Sequence, residues 1–193
     1  MTTPFNALPI MHDANRISPV DIPTESQIRG FYKSVDLADA YAITLPDHAS
    51  RNPEVLARLL FAQPPPSMQW LLRLRDVLVR PFGIKTATHL QASSTSKPDQ
   101  RIGVFRIYYS RSSEIILGED DKHLDFRLSV LCRPVDGPAE DAHQVVVSTV
   151  VTCHNTLGHS YIALIAPFHR IVVRASMRRA ARRGWSAPSS RAP

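Results

Sequence analysis

The longest regular hydrophobic pattern in the chain lies near its C-terminus. Between His154 and Arg183, apolar residues recur every three or four positions, as they do on one face of a helix. These residues are Leu157, Tyr161, Leu164, Ile165, Phe168, Val172 and Ala175. Asn155 or Thr156 can cap the start of this helix, and Gly184 can end it. A long helix with one apolar face typically packs across a sheet.

Alternation of apolar and polar residues predicts five strands before this helix. The first runs from Phe31 to Leu45, with bulky residues on one parity and alanines on the other. The other four are separated by short turn-like segments, and they cover Ile102 to Tyr109, Glu114 to Gly118, His123 to Arg133 and Gln144 to His154. Because short connections join antiparallel neighbours, we expect these four strands to form a meander.

Two shorter helices are predicted between the first strand and the meander. The first begins with a cap at Asn52, a proline at Pro53 and an acid at Glu54. The second follows the three prolines at positions 64–66, and its apolar stripe begins at Met68. The predicted fold class is therefore α+β, with an antiparallel sheet packed against the long C-terminal helix.

Length and composition favour one folded domain. A chain of 193 residues with 44% hydrophobic content can bury a substantial core. Residues 1–28 contain four prolines and no sustained periodicity, so we expect an extended or partly disordered arm there. The predicted domain covers residues 29–183, and residues 184–193 are predicted to form a disordered tail. No secretory signal pattern opens the sequence, so a cytoplasmic location is expected.

The two cysteines are predicted to be free thiols. If the last two strands form a hairpin, Cys132 faces Val145. Cys153 then lies about eight residues, or roughly 26 Å, farther along the strand. Such a separation excludes a disulfide. Buried thiols in a reducing compartment are the expected state.

The net charge of +6 is concentrated at the C-terminal end of the chain. From residue 142 onward there are seven arginines and no Asp or Glu. Four of them recur every four residues in a stripe opposite the apolar face: Arg170, Arg174, Arg178 and Arg182. Such a stripe can contact an anionic membrane surface, although cations near the end of a helix are also favoured by its dipole. No aromatic residues are interleaved for base stacking, so no nucleic-acid partner is expected.

The richest polar cluster lies at the start of the third strand of the meander, beside the turn that precedes it. Alternation places His123, Asp125 and Arg127 on the face opposite the apolar residues of that strand. In the register described above, His123 lies opposite His154, with Asp125 diagonal to both. Two imidazoles and a carboxylate can ligate zinc or iron. The alternative is a solvated face with an ion pair, and a slip of one residue would separate the three groups.

Three segments resemble a known family. They are DLADAYAITLP (Asp36 to Pro46), GEDDKHLDFR (Gly118 to Arg127) and HNTLGHSYIALIAPFHRIVV (His154 to Val173). Together they resemble the bacterial family catalogued as domain of unknown function 2867. That family is similar in turn to the helix-grip superfamily of START lipid-transfer domains, polyketide cyclases and pollen allergens. The resemblance implies a curved antiparallel sheet around a long C-terminal helix, with a cavity for apolar ligands, and it implies no catalytic residues.

These observations predict a protein that binds a small apolar or amphipathic molecule, or a lipid, between the sheet and the C-terminal helix. The polar residues predicted at the rim of this cavity are Arg106, Tyr108, Asp125, Arg127 and Tyr161. The alternative is a cyclase- or hydrolase-like enzyme, with or without a metal ion, that uses His123, Asp125 or His154 as acid or base. The sequence has no GxSxG, CxxC or glycine-rich phosphate motif, and no cofactor is predicted.

Overall fold

A computed structural model describes residues 16–62, 100–135 and 141–185 of the chain. Its sheet has seven strands: β1 (Ser18–Pro19), β2 (Leu37–Leu45), β3 (Arg101–Ile102), β4 (Phe105–Ser110), β5 (Glu114–Asp120), β6 (Leu124–Pro134) and β7 (His143–Cys153). All neighbouring strands are antiparallel, in the order β1-β2-β7-β6-β5-β4-β3. Within the described residues, two α-helices accompany the sheet, α1 (Pro53–Phe61) and α2 (Thr156–Arg182). The predicted α+β class is confirmed, whereas the predicted second short helix lies outside the described residues.

The curved sheet is buried on both faces. We call the face that packs against α1 and α2 the helix face, and its core residues include Tyr41, Ile43, Leu117, Leu128, Val130 and Val147. The opposite face, which we call the arm face, is covered by the N-terminal segment that precedes β2. Its core residues include Ala40, Ala42, Ile116, Leu131, Val146 and Val150, with Val20, Ile22 and Ile28 packed on them. Burial on both sides explains why the central strands carry so few exposed residues.

A buried carboxylate joins the N-terminal segment to the arm face. Glu114, at the start of β5, is only 3% exposed. Its carboxylate accepts hydrogen bonds from Ser26 Oγ at 2.5 Å, Ser129 Oγ at 2.5 Å and the backbone N–H of Gln27 at 2.9 Å. Ser26 also caps a single 3-10 turn, Gln27–Gly30. The described part of the predicted arm therefore packs against the domain.

Two predicted strands differ substantially from the structure, whereas the other three differ by no more than two residues at either end. The first begins at Leu37 rather than Phe31. The single strand predicted over Ile102–Tyr109 is a hairpin, because the chain turns at Gly103 between β3 and β4. Gly103 has a φ of +60°, and a Cβ placed on it would lie 2.6 Å from the carbonyl oxygen of Phe61. The turn thus packs so closely on the end of α1 that only glycine fits.

The register between β6 and β7 is the predicted one. Cys132 faces Val145, and Cys153 lies at the far end of β7. Both cysteines are free thiols, so the absence of a disulfide between them is confirmed. The same register brings His123 beside His154, whose backbone N–H donates to the carbonyl oxygen of His123 at 2.9 Å.

The long helix is buried unevenly along its length. Asn155 caps its start, as one of the two predicted alternatives. In its C-terminal half, three residues are buried against α1 and the helix face: Val173, Met177 and Ala180. In the middle of the helix, three large apolar residues are 50%, 37% and 59% exposed: Leu164, Phe168 and Ile171. On the face that continues Val173 at helical spacing, Ile162, Ala166 and His169 are only half-buried. The helix therefore contacts the sheet less closely toward its start.

Trp185, which follows α2, lies in the core, although the sequence predicts it to be part of the disordered tail. Gly184 adopts a φ of +64° and ends the helix as predicted. Trp185 then turns back into the core of the helix face, where it is buried. Its backbone N–H donates to the carbonyl oxygen of Ala180 at 3.0 Å. Trp185 therefore belongs to the packed domain.

Candidate functional site

The five residues predicted at the rim of a cavity lie on two sides of the sheet. Gly118 faces both Arg106 and Arg127 in the register, which places these arginines in one row on the arm face. Two further members of the set also lie on the arm face, Tyr108 and Asp125. The fifth member, Tyr161, is half-buried on α2. The thickness of the sheet separates Tyr161 from the other four.

Arg127 is the centre of an aromatic cluster on the arm face. Its side chain is 7% exposed, and its guanidinium carbon lies 3.6 Å from the ring centroid of Tyr108. The rings of Phe31 and Tyr32 lie at 5.4 Å and 5.3 Å from the same carbon. Nη1 of Arg127 also donates to Oδ1 of Asp120 at 2.8 Å. This cluster holds the end of the N-terminal segment on the sheet, which is a structural role.

The ionisable partners of Arg127 have shifted pKa values. Burial, together with the hydrogen bond that its hydroxyl donates to Asp120 at 2.8 Å, raises the pKa of Tyr108 to about 12. Burial alone would raise the pKa of Asp120, but the hydrogen bonds from Tyr108 and Arg127 outweigh it and lower that pKa. Tyr108 is therefore a neutral donor and Asp120 an ionised acceptor at neutral pH.

The predicted metal ligands are only partly brought together. Nε2 of His154 lies 3.1 Å from Oδ1 of Asp125. The same carboxylate oxygen accepts a hydrogen bond from the backbone N–H of Asp121 at 3.0 Å, so the pair stabilises the β5–β6 turn. Nδ1 of His123 is directed instead at the side-chain amide of Asn155, at 3.1–3.3 Å. These contacts explain the three residues as parts of the turn and of the helix cap.

A group of polar side chains lies on the helix face beneath α2. Asp39 and Thr149 face each other across the β2–β7 pair, so their Cβ atoms are about 5 Å apart. From α2, Nε2 of His169 lies 3.4 Å from Oδ1 of Asp39. The guanidinium carbon of Arg174 lies 5.3 Å from the ring centroid of Tyr41. We call Asp39, Thr149, His169 and Arg174 the subhelical group.

Three buried atoms of the subhelical group have no hydrogen-bond partner among the described residues. They are Oδ2 of Asp39, Oγ1 of Thr149 and Nε of Arg174, each with less than 1 Å² of accessible area. Buried polar atoms are nearly always hydrogen-bonded, and an unpaired one costs about 1–3 kcal/mol. The subhelical group therefore leaves one acceptor, one donor and one hydroxyl without a partner among the described residues.

One feature of the sequence indicates the subhelical group, the carboxylate at position 39 within an apolar strand. Asp39 occupies the same parity of β2 as Tyr41, Ile43 and Leu45, which are bulky and buried. A carboxylate in such a position is rarely buried without a partner. Thr149, however, looks like any other β-branched residue of a strand, and no local pattern singles it out.

A second ionisable group lies where β7 passes into α2. The ligand atoms of Asp36, Cys153 and His159 all lie within 4.8 Å of one another. Oδ1 of Asp36 is 3.2 Å from Nε2 of His159, and Oδ2 accepts the backbone N–H of Cys153 at 2.6 Å. Nδ1 of His159 lies 2.9 Å from the backbone carbonyl oxygen of Asn155. We call Asp36, Cys153 and His159 the junction group.

Each member of the junction group has a shifted pKa. The hydrogen bond to the carbonyl of Asn155 and the charge of Asp36 raise the pKa of His159. The hydrogen bond from the backbone N–H of Cys153, with the nearby His159, lowers the pKa of Asp36. Burial and the carboxylate of Asp36 raise the pKa of Cys153 to about 11. At neutral pH the group thus contains a carboxylate, a thiol and an imidazole that favours protonation.

One family model matches residues 31–176, and its description is "Protein of unknown function (DUF2867)". The chain belongs to the DUF2867 family. The membership predicted from the three sequence segments is thereby confirmed. The matched range of this DUF2867 protein contains every residue of the subhelical group and of the junction group. No curated protein and no solved structure matches the chain.

The start of α2 in this DUF2867 protein depends on a glycine, and Gly158→Ala is expected to destabilise the fold. A Cβ at Gly158 would lie 2.2 Å from the carbonyl oxygen of His123, so the first turn of α2 has to move. We expect a loss of about 1–3 kcal/mol in the free energy of unfolding, measured by urea denaturation. Gly30→Ala is the control, because nothing lies within 4 Å of its added Cβ. Equal losses in both variants would contradict the steric argument.

The four arginines of the predicted stripe differ in their exposure to solvent. Arg170, Arg178 and Arg182 are exposed, whereas Arg174 is half-buried against Tyr41. Contact with an anionic membrane surface stays a prediction and would involve the three exposed arginines. Among the described helices, none has an apolar stretch long enough to cross a bilayer.

Proposed function

We propose that this DUF2867 protein binds a small amphipathic molecule between the helix face of the sheet and α2. The observation that carries the proposal is the subhelical group, whose buried Asp39, Thr149 and Arg174 atoms have no partner among the described residues. This is also the use that the resemblance to helix-grip proteins implies. Catalysis is not part of the proposal, because the contacts of the predicted acid–base residues are explained by the β5–β6 turn and the cap of α2.

The uneven burial of α2 supports a ligand at this place. Tyr161 is half-buried on this part of the helix. Residues of the N-terminal half that continue the buried face of Val173 and Met177 at helical spacing are also only half-buried: Ile162, Ala166 and His169. Their counterparts in the C-terminal half are buried. A molecule inserted along the N-terminal half would remove further apolar area from water, at about 25 cal/mol per Å². The apolar part of the ligand would gain affinity there.

The atoms of the subhelical group define the polar part of the ligand. Oδ2 of Asp39 accepts hydrogen bonds, so it requires a hydroxyl or amine donor. Nε–H of Arg174 donates, so it requires an acceptor such as a carbonyl or hydroxyl oxygen. Thr149 can do either. The proposed ligand therefore has an apolar body and an end that carries both a donor and an acceptor. Of the five predicted rim residues, the proposal uses only Tyr161.

The variant Thr149→Val is expected to weaken ligand binding without destabilising the free protein. Valine keeps the branched shape and removes a hydroxyl that is buried and unpaired among the described residues, so the free energy of unfolding stays equal or rises by about 1 kcal/mol. A ligand that bonds to this hydroxyl loses about tenfold in affinity, equivalent to about 1.4 kcal/mol. Ligands are first found by a thermal-shift screen of lipids and hydroxylated aromatic molecules, and affinities are then measured by calorimetry.

Ser148→Ala is the matched control for this experiment. Its hydroxyl is also buried without a partner among the described residues, but Ser148 points to the arm face, opposite Ala40. Removal of this hydroxyl is expected to leave ligand affinity unchanged. The proposal would be overturned if no molecule in the screen stabilised the protein and Thr149→Val lowered its stability.

A further inference from the structure

The junction group combines three kinds of metal ligand from separate parts of the chain. Asp36 precedes β2, Cys153 is the last residue of β7, and His159 lies in the first turn of α2. Carboxylate oxygen, thiolate sulfur and imidazole nitrogen are the ligands that bind zinc in proteins. This set shares no residue with the metal ligands predicted from sequence.

The hydrogen bonds of His159 determine which ring nitrogen faces its neighbours. A backbone carbonyl only accepts hydrogen bonds, so Nδ1, at 2.9 Å from the carbonyl oxygen of Asn155, carries a proton. In the neutral ring, Nε2 therefore presents its lone pair to Oδ1 of Asp36, at 3.2 Å. Two lone pairs at this distance require a cation between them, which is either a proton or a metal ion. A carbonyl on the far nitrogen is also the usual way in which a metal-binding histidine is oriented.

The distances in the junction group fit a tetrahedral ion. Zinc binds nitrogen and oxygen at about 2.0–2.1 Å, so two such ligands at the tetrahedral angle are about 3.3 Å apart. The observed separation between Nε2 of His159 and Oδ1 of Asp36 is 3.2 Å. The sulfur of Cys153 lies within 4.8 Å of a carboxylate oxygen of Asp36 and of a ring nitrogen of His159, and a tetrahedral site needs about 3.6 Å. A small side-chain movement of Cys153 is enough to complete the set.

The charges of the group also suit a divalent ion. A carboxylate and a thiolate together carry two negative charges, which neutralise a zinc ion. The start of α2 adds the positive end of a helix dipole, which favours anionic ligands beside it. Burial and the Asp36 carboxylate keep Cys153 a thiol in the metal-free protein, so the ion has to replace its proton. Binding would release the thiol proton of Cys153 and any proton on Nε2 of His159.

We propose that Asp36, Cys153 and His159 bind one zinc ion, with a fourth position for water. Three protein ligands and one open position are typical of zinc sites that are accessible to solvent. Asp36 and His159 are exposed, so the ion can enter from outside. The ion would connect the start of β2, the end of β7 and the start of α2.

The test is metal titration of the full-length protein, free of any affinity tag and first treated with a chelator. We expect one zinc ion per chain in competition with a chromogenic chelator, and a rise in melting temperature with zinc. We also expect cobalt to give a thiolate-to-cobalt charge-transfer band and the strong visible absorption of a four-coordinate ion. Cys153→Ser, the most conservative variant, should abolish that band and weaken zinc binding by more than about tenfold.

Two further ligand variants and two controls complete the experiment. His159→Gln and Asp36→Asn should each weaken zinc binding by more than about tenfold. Cys132→Ala and His154→Gln remove the other cysteine and a neighbouring histidine, and they should bind zinc as the wild type does. Melting curves in metal-free buffer confirm that each variant is folded. The proposal is overturned if the wild type binds no zinc, or if Cys153→Ser retains the affinity and the cobalt spectrum.

Discussion

The variant Glu114→Ala is expected to lower the free energy of unfolding by about 3–5 kcal/mol. Its carboxylate is buried and accepts hydrogen bonds from Ser26, Gln27 and Ser129. Truncation to alanine leaves these three donors without their acceptor, and each unpaired buried group costs about 1–3 kcal/mol. Because two of the donors belong to the N-terminal segment, the arm face loses its main polar link to that segment.

The measurement is urea denaturation combined with limited proteolysis of the N-terminal segment. We expect the variant to unfold at lower urea concentration and to be cleaved near Ser26 sooner than the wild type. Glu25→Ala is the control, since the side chain of Glu25 is 46% exposed in its ion pair with Arg133 and is expected to contribute less than about 1 kcal/mol. A loss below about 1 kcal/mol in Glu114→Ala would show that water replaces the carboxylate.

The second large effect is expected for Arg127→Ala, at about 3 kcal/mol in the free energy of unfolding. The substitution removes a buried guanidinium from between the rings of Tyr108, Phe31 and Tyr32. It also removes the ion-pair partner of Asp120. Arg127→Lys keeps the charge but loses the planar stacking, so we expect an intermediate loss of about 1–2 kcal/mol.

Arg106→Ala is the matched control for Arg127→Ala. Arg106 lies in the same row of the arm face and contacts Tyr108 at 5.5 Å, but its side chain is exposed. Arg106→Ala is expected to lower the free energy of unfolding by less than about 0.5 kcal/mol. A similar loss for both arginines would contradict the role assigned to burial.

The effect of Arg127→Ala is also expected to depend on pH. Asp120 has a lowered pKa in the folded protein, so its ion pair stabilises the fold at pH values above the ordinary range of an aspartate. That contribution is lost as the pH falls through the lowered pKa. The free energies of unfolding of the wild type and of Arg127→Ala should therefore differ less at acidic pH than at neutral pH. Urea denaturation at several pH values measures both.

Much of the fold follows from local patterns in the sequence. The alternation in β2 places Tyr41 on the helix face and Ala40 on the arm face, as predicted. The helical spacing and the cap at Asn155 predict α2 to within two residues at its start. All of these depend on interactions between residues that are close in the chain.

The covering of the arm face was not predictable in this way. The apolar residues of the N-terminal segment, Ile17, Val20, Ile22 and Ile28, fit neither the period of a helix nor that of a strand. The hydrogen bonds of Glu114 that hold the segment in place join residues 87 and 88 positions apart. No local pattern reports a contact over such a distance.

The sequence by itself therefore determined the class of the fold, the faces of its strands and its long helix, because these depend on periods of two and 3.6 residues. Only the tertiary structure decided which side chains meet. The pairing of β2 with β7 brings Asp39 opposite Thr149, and the start of α2 brings His159 to Asp36 across 123 positions. Alternation determines the face that a side chain occupies, but the choice of neighbouring strand depends on packing of the whole core. Both candidate sites are products of that choice.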